Sequence, residues 1–145
     1  MNGQNINWYN CISTMDLQCQ AQSFRTAYGV DNGPHNRNMQ LGLINEEHRE
    51  LMEAHLKFFD YEGAAADCLK ELADLVYVCF QYAENMEWDL NEALYRVHRS
   101  NMSKLGEDGK PIRREDGKIL KGPNYKPPFL DDLTRQELKL EHYDH

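Results

Sequence analysis

The sequence predicts an all-α domain of four-helix-bundle type, followed by a long basic loop and a short terminal helix. Three observations predict it. Apolar residues recur at spacings of three and four in four separate segments, the spacing of one helical face. Capping boxes or glycines punctuate these segments. The connections between them are short, as in a bundle. The 145 residues, 41% of them hydrophobic, suit one compact domain with a modest core.

The core helices are expected over about 13–105. Ser13-Thr14-Met15-Asp16 reads as a capping box, with Ile12 and Leu17 placed as a hydrophobic staple. It opens a first helix to about Tyr28, with Met15, Cys19, Phe24, Ala27 and Tyr28 as its apolar stripe and Gly29 as its stop. Asp31-Asn32-Gly33-Pro34 is a loop by turn chemistry. A second helix follows from about Arg37 to Phe59, and Gly63 breaks the pattern. A third spans roughly Ala64 to Asn85 and is apolar on nearly all sides. Such a helix is usually buried, and part of its surface is expected to pack on a second copy of the chain. Asp89-Leu90-Asn91-Glu92 caps a fourth helix to about Leu105.

Residues 106–130 carry eight glycines and prolines and form the basic loop or lid. Within it, Asp116-Gly117 lies between Ile112 and Ile119-Leu120, which reads as a tight hairpin. Thr134-Arg135-Gln136-Glu137 is a further capping box, opening a terminal helix over about 134–142.

The net charge of −8 and pI near 5.2 argue against general nucleic-acid binding. The charge is uneven, with nine Lys/Arg against four Asp/Glu from Arg96 to Lys126. An acidic helical half followed by a basic segment suits a ligand of metal plus phosphate. No run of apolar residues is long enough to span a membrane, and no signal peptide is evident. Cys11, Cys19, Cys68 and Cys79 have no zinc spacing. A cytoplasmic setting is expected, the host cytoplasm if the gene belongs to a phage.

Two acidic motifs carry the chemistry. Glu46-Glu47-His48-Arg49-Glu50 lies on the second helix and Glu71-Leu72-Ala73-Asp74 on the third. Residues three or four apart share a helical face. Glu47 and Glu50 therefore project together, with Glu46 on the flank, and so do Glu71 and Asp74. One such pair is most often a solvated face. Two pairs facing across a helical hairpin would repel without a cation between them, and Mg²⁺ or Mn²⁺ suits an all-oxygen site. A di-iron centre would need Glu-x-x-His, which is absent. No GxSxG elbow or Walker A loop occurs. On the fourth helix, the stripe Leu90, Ala93, Leu94, Val97 continues as Asn101 and Lys104. Such a stripe is either entering a site or fraying at a helix end.

The pattern EExxE followed by ExxD resembles the MazG-like all-α nucleoside triphosphate pyrophosphohydrolases over roughly residues 17–105. The stretch VHRSNMSKLGEDGKPIRREDGKILKGPNYKPP is similar to the C-terminal part of their small phage and bacterial members. The resemblance, nearest to phage members that act on dGTP, implies hydrolysis of a (deoxy)nucleoside triphosphate to monophosphate and pyrophosphate. It implies two or three Mg²⁺ or Mn²⁺ ions held by Glu47, Glu50, Glu71 and Asp74. Glu46 would bind a further ion, orient the water or act as base. Asn101, Lys104, Lys118 and Lys121, with Tyr125, would contact the phosphates. A homodimer or a homotetramer is implied as well. Two alternatives stay open at this point, a non-catalytic nucleotide- or metal-binding module and a pyrophosphohydrolase of dUTP or a phosphoribosyl-nucleotide.

Overall fold

The computed structural model describes residues 16–134, and they are mostly helical. The expectations for Ser13 to Met15 and for the terminal helix beyond Thr134 lie outside the described residues. Packing divides the described residues into two compact units, the first ending at Trp88 and the second beginning at Asp89.

The first unit contains helices α1 (Leu17–Ala27), α2 (Arg37–Leu56) and α3 (Ala64–Asn85). Asp16 caps α1 by accepting from the Cys19 amide at 2.9 Å, so the helix opens at the last residue of the expected capping box. Gly29, at φ +61°, ends it in the left-handed conformation that the sequence suggested. A 3-10 turn at Pro34–Asn36 leads into α2. That helix stops at Leu56, three residues earlier than expected, and Lys57 is its C-cap. A short turn then returns the chain, so α2 and α3 form a helical hairpin, with α1 packed on α3.

The apolar core of this unit is small: Ala21, Ala64, Val78, Phe80, Ala83 and Met86 are buried. The buried face of α1 is Ala21 and Arg25, while Phe24 and Tyr28 of the expected stripe are exposed. Helix α3 is not enclosed on all sides either. Leu69, Leu72 and Val76, which recur at helical spacing, stand 66%, 46% and 39% exposed.

A polar clasp replaces part of the missing apolar core. The Arg25 guanidinium, 4% exposed, donates to Asn32 Oδ1 (2.6 Å), the Asp31 carbonyl (2.7 Å), Asn85 Oδ1 (2.8 Å) and Gln81 Oε1 (3.4 Å). Asn85, fully buried, also donates to the Gly33 carbonyl, and its own carbonyl accepts from the Gly33 amide. A buried cation is tolerated only when its hydrogen bonds are met, and here four acceptors meet them.

The second unit contains α4 (Leu90–Met102), capped by Asp89, which accepts from the Glu92 amide as the sequence suggested. Strands β1 (Ile112–Arg113) and β2 (Ile119–Leu120) pair antiparallel, Ile112 opposite Leu120, around the expected turn with Gly117 at φ +87°. The chain then returns to the end of α4. The Gly122 amide donates to the Lys104 carbonyl at 2.8 Å, and the Lys126 amide to Ser103 Oγ at 2.9 Å. Among the described residues no helix is long and apolar enough to cross a membrane.

Candidate active site

The α2–α3 hairpin brings the two acidic motifs together. Glu47, Glu71 and Asp74 each offer a carboxylate oxygen, and these oxygens lie within 4.8 Å of one another. All three side chains are half-buried. Glu47 Oε2 and Glu71 Oε2 are buried and have no hydrogen-bond partner among the described residues. A buried carboxylate oxygen without a partner is costly. Burial lifts the Glu47 carboxyl above its ordinary range, and the charges of Glu50, Asp74 and Glu71 and a hydrogen bond with Glu50 add to the rise. Glu50 thus sits beside Glu47, as the three-residue spacing required. Glu46 is exposed on the flank of the motif.

An oxygen-only donor set with unmet acceptors and mutual repulsion fits a hard divalent cation. A positive charge that the motif pattern did not include lies against the cluster. Lys70 Nζ lies 2.8 Å from Asp74 Oδ2 and 3.5 Å from Glu71 Oε1. The signal was present in the sequence, since Lys70 precedes Asp74 by four residues on one helix.

The expected phosphate-contacting residues all belong to the second unit. Asn101 lies in the last turn of α4 and is exposed. Lys104 follows that helix, and its carbonyl anchors Gly122. Lys121 precedes Gly122, and its ammonium lies 4.7 Å from the centre of the Tyr125 ring. The return of the chain at Gly122 therefore gathers Lys104, Lys121 and Tyr125 at one end of α4. Lys118 is placed apart from them in the hairpin turn, where its amide donates to Asp116 and its carbonyl accepts from the Arg114 amide.

Residues 14–101, well over half of the chain, match the family described as phosphoribosyl-ATP pyrophosphohydrolase. The chain belongs to the phosphoribosyl-ATP pyrophosphohydrolase family. No individual curated protein matches it. Membership makes the protein an enzyme, a nucleotide pyrophosphohydrolase, and agrees with its all-α fold. The matched region carries both acidic motifs, so in this pyrophosphohydrolase the Glu47, Glu71 and Asp74 cluster lies inside the family's own segment.

Proposed function

We propose that the chain hydrolyses a (deoxy)nucleoside triphosphate, with dGTP the first candidate, to the monophosphate and pyrophosphate. The observation that supports this most is the acidic cluster with its unpartnered buried oxygens, set within a pyrophosphohydrolase family. Glu47, Glu71 and Asp74, with Glu50 beside them, would hold Mg²⁺ or Mn²⁺. Bound there, such an ion would supply charge neutralisation at the phosphate oxygens and a water of lowered pKa.

The remaining work falls to the protein's own groups. Phosphoryl transfer asks for positioning and charge neutralisation more than for covalent chemistry. Glu46, exposed on the flank, orients the attacking water and accepts its proton. The bond between the α and β phosphoryl groups breaks, and the negative charge of the leaving pyrophosphate falls on Lys104, Lys118 and Lys121. Asn101 and Tyr125 hydrogen-bond the phosphates. The exposed stripe Leu69, Leu72 and Val76 supports a homodimer, or a homotetramer built from dimers, since apolar surface at helical spacing gains by being covered. The reaction is placed in the cytoplasm, or in the host cytoplasm for a phage enzyme.

A second reading takes a phosphoribosyl-nucleotide as substrate, and the family description favours it. It keeps the same acidic cluster and the same bond broken. A product assay separates the two. Each dNTP, dUTP, the NTPs and a phosphoribosyl-nucleotide are incubated with Mg²⁺ and separately with Mn²⁺, resolving pyrophosphate from orthophosphate. Pyrophosphate from dGTP first supports the leading reading, and turnover confined to the phosphoribosyl-nucleotide supports the second. Orthophosphate alone, or no product, overturns both. Asp74→Asn and Glu50→Gln should each lower turnover by about a hundredfold or more while the helical circular dichroism persists.

A further inference from the structure

A cavity of about 510 Å³ lies wholly within the second unit, between α4 and the returning segment 126–132. That volume is in the range of small-molecule sites. Helical geometry puts it on the opposite side of α4 from the stripe Leu90, Leu94, Val97 and Asn101. Its lining from α4 begins at Glu92 and recurs through Tyr95, Arg99 and Ser103, which lie about half a turn round from that stripe. The cavity is therefore separate from the face that carries Asn101.

One of its cations is structural. Arg96 donates to Glu92 Oε1 (2.9 Å), to both carboxylate oxygens of Asp132 (2.5 and 3.0 Å) and to the Phe129 carbonyl (3.0 Å). This clasp holds the returning segment on the helix and engages both acids of the lining, one positive charge against two negative. Two further cations remain. Among the described residues neither Arg99 nor Lys126 has an acidic partner. Arg99 lies over the Tyr95 ring, 5.9 Å from its centre. Tyr95 and Phe129 are 55% and 60% exposed at the cavity, and Pro127 and Pro128 give it a rigid apolar wall. With three cations against two acids the lining is left with a net positive charge, which calls for an anion, and a guanidinium is suited to phosphate. Exposed aromatic rings call for a flat partner, and any nucleobase offers one.

We propose that this cavity binds a nucleoside monophosphate, its phosphate on Arg99 and Lys126 and its base against Tyr95 and Phe129. The site needs no divalent ion, unlike an all-carboxylate cluster, which repels nucleotide phosphates when metal-free. That difference isolates it experimentally, and it stands apart from any reading of the reaction at Glu47, Glu71 and Asp74.

The test is calorimetry on the full-length chain in EDTA with GMP, guanosine and inorganic pyrophosphate as probes. One GMP per chain should bind, at least tenfold more tightly than either guanosine or pyrophosphate. Arg99→Gln and Lys126→Gln, at exposed positions, should each weaken GMP several-fold and together at least tenfold. Asp74→Asn should leave the binding unchanged. The single variants keep the test decisive if the double variant fails to fold. Absence of GMP binding at millimolar concentration, or binding unchanged in the single variants, would overturn the proposal. Pyrophosphate binding as tightly as GMP would reduce the cavity to a bare-anion site and overturn it equally.

Discussion

Lys70 and Asp74, one turn apart on α3, form an ion pair of 2.8 Å at the edge of the acidic cluster. The ammonium is held above its ordinary range by its hydrogen bond to Asp74, then by the charges of Asp74 and Glu71. It competes for the Asp74 carboxylate with any cation bound in the cluster. Lys70→Gln should therefore tighten Mn²⁺ binding by about threefold, a small factor because the pair is exposed. Mn²⁺ titration followed by electron paramagnetic resonance checks this, and weaker binding in the variant would show that Lys70 supports the site instead.

The raised Glu47 carboxyl gives the metal-free protein a pH dependence of known sign. The folded chain holds this proton more tightly than the unfolded chain, whose carboxyl titrates near the ordinary 4.5. The stabilising contribution is complete below that value and is lost as pH climbs through the higher folded value. In EDTA, the Tm of the wild-type chain should thus fall relative to that of Glu47→Gln as pH rises above 4.5. Melts of both proteins at a series of pH values read the difference. A wild-type Tm that rises relative to that of Glu47→Gln over this range would contradict the assignment.

Asn85→Ala should destabilise the first unit by about 3 kcal/mol, because it strips an acceptor from a buried guanidinium and the side-chain donor from the Gly33 carbonyl. Urea unfolding measures the loss. A change within about 0.5 kcal/mol, the range of ordinary surface substitutions, would mean that water replaces the amide.

Gly122 admits no side chain. A Cβ there would fall 2.7 Å from the Lys104 carbonyl oxygen and closer still to that of Leu105. Gly122→Ala should release the returning segment from α4 and expose the Gly122 amide to hydrogen exchange. If Lys104, Lys121 and Tyr125 bind phosphate, KM should rise about tenfold with a smaller change in kcat. Exchange kinetics report the release independently of activity.

Much of this architecture was legible in the sequence because it depends on local rules. The limits of α3, the cap at Asp89, the stop at Gly29 and the hairpin turn at Gly117 all follow from residue type and spacing. The meeting of Glu47 with Glu71 and Asp74 was legible for the same reason, since one short turn fixes which faces of the hairpin oppose. What escaped were choices made by the tertiary environment. Arg25 reads as a surface residue until Asn32, Gln81 and Asn85 are brought around it. Phe24 and Tyr28 read as core, yet α1 turns Ala21 inward instead. No periodicity distinguishes an apolar residue awaiting a partner from one already covered, so the sequence could say that part of α3 was left for a second copy but not that Leu69, two-thirds exposed, belonged to that part.

The Arg25–Asn85 clasp has a consequence for how the chain meets a protease. Residues 29–36, rich in glycine, asparagine and proline, have the composition of a segment normally cut first. Here Asp31, Asn32 and Gly33 are tied to side chains that are themselves buried in α1 and α3. Cleavage at this segment requires those helices to part, so nicking there reports the opening of the whole first unit rather than the fluctuation of a loop.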